Sequence, residues 1–273
     1  MRALALVCLC CLTTPPAFAA LPTAGEDATA AAIEAPAATA DEEASRSGPP
    51  RWTVGALLID RADPYLDMDR DPLLVPLLRF EGERAYLRGL RAGWRLVDTG
   101  DFELAGLAQA RINGYQAKDS PALAGMADRD DSLDLGLAAT WVTPIGGVEL
   151  ALLQDALDRS GGHEASLTWA VTFRRGGWGF LPALTLHWQD ADLVDYYYGV
   201  RPGEALPGRP AYRGRAALVP ELSLILERPL NPQWRLYARF GHRRYPDAIA
   251  DSPIIERDHA SSVMIGLGWS PAR

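Results

Sequence analysis

Long runs of strictly alternating apolar and polar residues dominate the chain from Arg51 onward. In residues 164–174 (EASLTWAVTFR) every second side chain is apolar, and the same alternation returns in residues 178–189 and 233–240. Successive side chains of a β-strand point to opposite faces, so a period of two predicts strands with one apolar and one polar face. The chain is therefore expected to fold as an all-β protein.

The length of these runs separates two kinds of all-β fold. Strands of soluble sandwiches average about five or six residues, whereas a tilted membrane strand needs about 9–11. Residues 164–174 and 178–189 reach the membrane length, and tryptophans stand near the ends of the runs, as in the aromatic girdles of membrane barrels. We predict an antiparallel transmembrane β-barrel, with a soluble periplasmic sandwich as the weaker alternative. The tryptophans concerned are Trp52, Trp141, Trp178, Trp188 and Trp269.

The connections between the runs predict the number of strands. Bacterial barrels have an even strand number, short periplasmic turns and longer outer loops. If residues 84–97 formed one strand, the long connections 114–131 and 191–211 would face the periplasm. A break near Gly89 turns every long loop outward and gives about twelve strands, with ten as the fallback. The twelve are 51–60, 73–80, 84–89, 91–97, 102–113, 132–143, 147–157, 164–174, 178–190, 213–228, 233–245 and 261–270.

The first nineteen residues have the layout of a secretory signal peptide. Arg2 precedes an apolar run at 3–12, and Ala17-Phe18-Ala19 fits a cleavage site. The three cysteines of the chain, at positions 8, 10 and 11, all fall inside this segment. Cleavage would therefore leave no thiol for a disulfide or a thiolate metal site.

Composition divides the rest of the chain into two parts. Residues 20–50 are rich in Ala, Pro and acidic residues and predict a disordered periplasmic leader, and residues 51–273 form the barrel domain. The net charge is -8 and Lys118 is the only lysine, which argues against a nucleic-acid partner. The expected surroundings are the lipids of the outer membrane.

No catalytic or metal-binding constellation stands out. The four histidines do not have the spacing of an HExxH zinc motif, and the sequence has no Gly-x-Ser-x-Gly motif. The acidic runs in 60–71 and 128–131 lack the Gly and Glu spacing of a calcium loop. We expect no catalytic residue, no metal and no cofactor, and hence a protein that is not an enzyme.

The polar face of the strands carries several charges toward the lumen. These charges are consistent with the filter of a narrow pore, or with salt bridges that fill and stiffen the barrel. The second interpretation is preferred because small barrels tend to fill their interiors with side chains. The candidate lumen charges are Glu103, Arg111, Glu149, Glu221, Glu227, Arg235, Arg239 and Arg243.

A tyrosine-rich stretch resembles the signature loop of the MipA/OmpV family of outer-membrane proteins. It consists of Asp195, Tyr196, Tyr197, Tyr198, Gly199 and Val200, and Arg209-Pro210-Ala211-Tyr212 follows it, as in that family. Asp63-Pro64-Tyr65 near the start of the barrel domain is similar to the family as well, and the resemblance covers residues 51–270.

The resemblance implies an outer-membrane barrel without catalytic residues. The name-giving member of the family is described as a scaffold that links a murein transglycosylase to a murein synthase, and other members are described as porin-like or as adhesins. For this chain the resemblance implies an envelope scaffold for murein-processing enzymes, with a narrow porin-like channel as the alternative.

Overall fold

The computed structural model describes residues 51–68 and 72–271 of the chain. The predicted signal peptide at 1–19 and the predicted leader at 20–50 lie outside the described residues.

The alternating runs form a closed antiparallel β-barrel. Each strand pairs with the next along the chain, except that β8 and β9 both pair with β10, and the last strand pairs with the first through Val54–Arg61 and Ser262–Trp269. The strands are β1 (Arg51–Arg61), β2 (Leu73–Glu81), β3 (Ala85–Arg88), β4 (Arg91–Asp98), β5 (Phe102–Arg111), β6 (Ser132–Thr143), β7 (Gly146–Asp155), β8 (His163–Ala170), β9 (Phe173–Arg175), β10 (Trp178–Gln189), β11 (Ala217–Pro229), β12 (Trp234–Arg244) and β13 (His259–Trp269).

The barrel wall has twelve strands, because β8 and β9 are two parts of one. Both pair with β10, and the ladder between them is interrupted at residues 171–172, opposite Pro182. The Val171 N–H donates to the Pro182 carbonyl at 3.1 Å, so the backbone of residue 182 faces this strand, and proline has no N–H to return a second bond. The predicted count of twelve is confirmed, and the fallback of ten is wrong.

The predicted break near Gly89 is also confirmed. Gly89 has a φ of 60°, a backbone conformation that favours glycine, and it joins the four-residue strand β3 to β4. β3 pairs with only three residues of β2, Arg79 to Glu81. The β3–β4 hairpin is therefore much shorter than the strands on either side of it.

The alternation of burial shows which way the strands face. On β10, Leu181, Ala183 and His187 are buried, whereas Leu184 and Trp188 are about two-fifths exposed. A closed sheet with an exposed apolar outer face is the architecture of a membrane barrel, so the soluble-sandwich alternative is wrong.

The tryptophans are distributed unevenly along the barrel. Trp188 lies at the end that carries the long loops, whereas the other seven lie toward the short-turn end. Two of those seven contact a phenylalanine on the neighbouring strand, in the pairs Trp52–Phe80 and Phe102–Trp141, with ring centroids 4.5 and 5.3 Å apart. The aromatic girdle is therefore built mainly at the short-turn end.

The helices are short and belong to the long loops. They are α1 (Ala191–Tyr198), α2 (Asp247–Ala250) and the 3₁₀ turns Pro121–Leu123 and Pro202–Glu204. Among the described residues, no helix combines the length and the apolar composition needed to cross a membrane. The largest hydrophobic cluster also lies mostly in these loops, above the barrel wall.

Candidate functional site

The long loops pack into a single cap over one mouth of the barrel. The cap consists of the described parts of residues 62–72, 112–131, 190–216 and 245–258. Its core contains Tyr65, whose ring lies 4.9 Å from that of Tyr115 and 6.0 Å from that of Tyr198. Leu123, Val194, Ile249 and Ile254 complete this core and are fully buried. Burial of apolar side chains from all four loops holds the mouth closed.

The carboxyl end of α1 connects three other loops. The last carbonyls of a helix have no partner inside the helix and need donors from elsewhere. Arg129 Nε donates to the Tyr196 carbonyl at 2.7 Å, and the Tyr65 hydroxyl donates to the Tyr197 carbonyl at 3.3 Å. Ser252 Oγ donates to the Tyr198 carbonyl at 2.6 Å. The tyrosine-rich stretch is thus the centre of the cap.

The family-signature residues have distinct positions in this centre. The alternation indicates only a long connection here, but the structure folds residues 191–198 into a helix, because the Asp190 side chain accepts from the Leu193 N–H at 2.9 Å and caps its first turn. Tyr197, Tyr198 and Val200 are buried, and the Tyr196 hydroxyl accepts from the Asp130 N–H at 2.9 Å.

Asp195 and Gly199 close the end of α1 tightly. Asp195 Oδ1 accepts from the Gly214 N–H at 2.7 Å. A Cβ atom on Gly199 would lie 2.3 Å from the Asp195 carbonyl oxygen, a distance that no side chain tolerates. Glycine is required at 199 because there is no room for a Cβ atom. The backbone conformation is not the reason, since any residue can adopt a φ of -77°.

A buried ion pair joins two loops of the cap. Arg129 Nη2 lies 2.9 Å from Glu204 Oε2, and these side chains are 1% and 8% exposed. Burial by itself raises the pKa of Glu204, but hydrogen bonds from Arg129 and from the backbone N–H groups of Arg201 and Ala127 lower it to about 2. The carboxylate is therefore charged at neutral pH and fully paired.

The cap tyrosines are held in the neutral form. Burial raises the pKa of Tyr115 to about 12, and it raises the pKa values of Tyr197 and Tyr198 further. Burial and the neighbouring phenols also raise the pKa of Tyr65 well above its usual value. The tyrosine cluster is an apolar core, without an ionised phenol at physiological pH.

Ion pairs cross the lumen beneath the cap. Arg111 on β5 lies 2.5 Å from Asp134 on the neighbouring strand β6 and 2.9 Å from Glu164 on β8. Three strand spacings amount to about 14 Å along the wall, so Arg111 and Glu164 meet only by reaching across the lumen. All three side chains are less than a tenth exposed.

The same layer continues to the far wall through His187 on β10. Its Nδ1 lies 3.0 Å from Glu164, and its Nε2 lies 3.7 Å from Glu221 on β11. Glu221 also pairs with Arg239 and Arg243 on β12. A continuous layer of paired charges therefore extends from β5 to β12.

A second layer lies nearer the short-turn end. Arg91 on β4 donates to Glu149 on β7 at 2.8 Å, again across three strands. Arg95 donates to Glu103 at 2.7 Å and to Glu81 at 3.2 Å. Buried charges are costly unless they are paired, and within each layer the arginines and carboxylates provide each other's counter-ions.

The structure places the predicted lumen charges at different depths. Glu103, Arg111, Glu149 and Glu221 are buried, whereas Arg235 is about one-third exposed and contacts Glu227 at 3.4 Å near the short-turn end. The sequence analysis did not single out the partners Arg91, Arg95, Asp134, Glu164 and His187. Their place on the polar face of the alternation is the signal that finds them.

A cavity of about 170 Å³ lies between the upper layer and the cap. Its wall includes Arg61, Arg111, Arg239 and Arg243. The serines near the start of β13 and the first residues after β1 and β5 also line it. The cavity is therefore polar and rich in hydrogen-bond donors.

Comparison with known proteins agrees with the family resemblance. The family model described as MltA-interacting protein MipA matches residues 54–271. The MltA-interacting protein of Escherichia coli is 28% identical over 222 residues, which cover 80% of this chain and 90% of that protein. The outer membrane protein OmpV of Vibrio cholerae is 27% identical over 152 residues, covering 56% and 58% of the two chains.

Among solved structures, the NanC porin matches with a TM-score of 0.40 and 10% identity, over 80% of this chain and 98% of that one. A TM-score this low does not establish a shared fold, so the assignment rests on the sequence matches and on the closed barrel described above. The barrel, its twelve strands and the match over residues 54–271 identify the chain as a member of the MipA family of outer-membrane β-barrel proteins.

Proposed function

We propose that this protein is a non-enzymatic scaffold of the outer membrane, which binds a murein transglycosylase and does not conduct solutes along its axis. The observation that carries the proposal is the filling of the barrel: two layers of ion pairs cross the lumen, and the cap covers its outer mouth. A barrel filled in this way is suited to a role on its surface.

The name of a relative indicates the kind of partner. A protein 28% identical to this chain is named for its interaction with MltA, and a murein transglycosylase of that kind is the partner we propose here. A murein synthase, the second enzyme implied by the family resemblance, would bind as a further component of the same assembly.

The periplasmic rim offers side chains for such a contact. Short turns of bacterial barrels face the periplasm, and two of them present exposed aliphatic residues at their tips. Ile145, between β6 and β7, is 74% exposed, and Leu230, between β11 and β12, is 54% exposed. Exposed apolar side chains on a polar rim are typical of protein-binding surfaces.

The proposal is tested by co-purification of the full-length protein with a murein transglycosylase of the MltA type. We expect the double variant Ile145→Asn/Leu230→Asn to retain at most about a tenth of the partner, as the loss of two apolar contacts implies. The control is Leu206→Asn, because Leu206 is 53% exposed but lies in the cap, on the other side of the membrane.

Deletion of residues 20–50 tests whether the partner binds the leader or the periplasmic rim. Loss of the partner in the rim variant alone supports a contact at the turns, and loss in the deletion alone moves the contact to the leader. Undiminished retention in both, with correctly folded barrels, would contradict a contact at either element. Failure of the wild-type protein to co-purify with the transglycosylase would contradict the scaffold proposal.

A further inference from the structure

The short β3–β4 hairpin leaves a gap in the barrel wall. β2 pairs with β3 only through Arg79 to Glu81, so its first five residues, Leu73 to Leu77, have β1 as their only pairing partner among the described strands. On the other side of the hairpin, β5 extends past the last paired residue of β4, Arg91, which is opposite Gln109. Between β2 and β5, above the Gly89 turn, the described residues contribute no strand.

This gap is a window with four sides. At its lower edge the two missing strands separate β2 from β5 by about 14 Å. Its upper edge is closed by the cap, where Ser120 Oγ donates to the Leu66 carbonyl at 2.6 Å and the Tyr65 and Tyr115 rings meet. The window lies in the half of the barrel nearer the long loops, at the depth of the outer leaflet.

The β2 edge of the window is adapted against pairing with another strand. The Leu78 carbonyl accepts from the Gly89 N–H at 3.0 Å, so the backbone groups of Leu78 face β3. Backbone groups of alternate residues face the same way, which directs the nitrogen of Pro76 into the window. Proline has no N–H there, and a proline at an open edge disfavours the addition of a strand.

The cavity beneath the cap extends to the β5 side of this window. Its wall includes consecutive residues 109–113 at the end of β5. Arg111 belongs to the inward-facing set of that strand, whereas Ala110 and Ile112 belong to the outward-facing set. A cavity that touches both sets contacts the edge of the strand. This edge is free of the hairpin beyond Ala110, whose N–H donates to the Leu90 carbonyl at 3.0 Å, and its free part is one side of the window.

Two donors on the cavity wall lack acceptors. The Nε–H groups of Arg111 and Arg239 are buried and have no hydrogen-bond partner among the described residues. The side chains that carry them are 8% and 10% exposed. A buried unsatisfied donor is costly, so a ligand that brings acceptor oxygens to both would be stabilised.

The two unsatisfied donors indicate the kind of ligand. The cavity wall contains Arg61, Arg111, Arg239 and Arg243 and the carboxylates of Asp63, Glu164 and Glu221, and Arg111 is also paired with Asp134, so the charges of this layer are balanced. An anionic group with several oxygens can accept from the free Nε–H groups of two arginines, and phosphate is the common example.

We propose that the window admits one phosphate-bearing lipid from the outer leaflet, with its phosphate in the cavity and its acyl chains leaving between β2 and β5. The apolar outer residues beside the window fit this arrangement, since Leu74 is 71% exposed and Leu78 is 43% exposed. The lipid would also cover the open sheet edge, which cannot remain bare in hydrocarbon without cost.

The test is native mass spectrometry of the folded full-length protein in detergent with added dimyristoyl phosphatidic acid. We expect one bound lipid per barrel. Dimyristoylglycerol, which lacks the phosphate, and glycerol 3-phosphate, which lacks the chains, should each bind at least about tenfold more weakly. Equal binding of glycerol 3-phosphate would overturn the lipid proposal and leave an anion site alone.

A matched pair of variants tests the window itself. Ala110→Trp places a large side chain at the edge of the window and should reduce lipid binding about tenfold or more. Ala108→Trp is the control, because Ala108 is on the same strand and face but is paired with Ala92 of β4 and lies outside the cavity wall. Equal lipid binding by the two variants, both folded by heat-modifiable gel mobility, would contradict a lateral entry.

Arg239→Gln tests the site of the phosphate independently of the window. It removes the unsatisfied Nε–H while leaving a polar side chain, and it should weaken phosphatidic acid but leave the much weaker binding of dimyristoylglycerol unchanged. Arg235→Gln is the control, since Arg235 lies on the same strand outside the cavity. If both variants bind phosphatidic acid as the wild type does, the phosphate does not sit in this cavity.

Discussion

Glu204 and Arg129 hold two loops of the cap together through a buried ion pair. Removing one partner of such a pair leaves the other charge buried and typically costs about 3–5 kcal/mol. We expect Glu204→Ala to destabilise the cap by about 3 kcal/mol and to increase the rate of proteolysis within residues 112–131 and 190–216. In the control Glu256→Ala, which removes a 41%-exposed carboxylate of the same cap, the cleavage rate should stay at the wild-type value.

The same carboxylate makes the cap sensitive to acid. Its pKa is about 2 in the folded protein, below the value of about 4.3 for a free glutamate. A lowered folded-state pKa stabilises the fold above the unfolded pKa, and this contribution is lost as the pH falls from about 4 through about 2. Near-ultraviolet circular dichroism of the cap tyrosines should decrease in that range, and the decrease should be absent in Glu204→Gln.

The buried tyrosines respond at the opposite end of the pH scale. The pKa of Tyr115 is about 12, and those of Tyr65, Tyr197 and Tyr198 are raised as well. Their stabilisation is complete below the unfolded value of about 10 and is lost as the pH rises through the folded values. Absorbance at the phenolate band should show these tyrosines ionising only above about pH 11, and together with unfolding of the cap. Ionisation of all tyrosines near pH 10 would contradict the buried cluster.

For single residues, the alternation predicts which side chains face the lumen but not which of them contact each other. Glu221 and Arg243 face each other across neighbouring strands, and their pairing follows from the pattern alone. Arg91 and Glu149 are three strands apart. Their contact depends on the radius of the closed barrel and on the rotamers inside it. The two-residue periodicity of the sequence determines neither of them.

Among the elements, the β3–β4 hairpin depends on a glycine beneath an aromatic ring. A Cβ atom on Gly93 would lie 2.0 Å from the Tyr86 ring, which is buried and stacked with the Arg88 guanidinium at 4.3 Å. We expect Gly93→Ala to displace the ring and to destabilise the barrel by about 1–3 kcal/mol. The measurement is the urea midpoint of the heat-modifiable band.

Gly106→Ala is the matched control for this hairpin. Gly106 is on β5, opposite Trp94 of β4, and an added Cβ there meets nothing within 4 Å. Its urea midpoint should match that of the wild type. Equal shifts in the two variants would indicate a general loss of backbone freedom in place of the proposed ring displacement.

For strands and helices, loop parity predicts the β3–β4 hairpin because an even number of crossings must bring every long loop to the same side. Loop parity does not predict two other features of the fold. The break between β8 and β9 depends on the backbone of Pro182 facing one particular neighbour, and pairing direction is a property of the folded sheet. The helix α1 is eight residues long, and the packing of four loops, more than its own composition, stabilises it.

The whole molecule combines a closed axis with an open side. The cap and the two charge layers fill the path along the barrel axis, whereas the wall between β2 and β5 lacks strand pairing above the β3–β4 hairpin. The sequence predicts the barrel and its strand number, because each strand carries its own alternation. It does not predict that the barrel axis is blocked, because the blocking side chains are distant along the chain and meet only in the assembled barrel.

Because the barrel is filled, we expect that it does not conduct along its axis. Single-channel recording in planar bilayers tests it most directly, with folded insertion verified by heat-modifiable gel mobility and a general porin as the positive control. The wild-type protein should show no channel events under conditions in which the porin conducts. Regular, reproducible conductance steps from the wild-type barrel would contradict the account and support a narrow channel through the charged lumen.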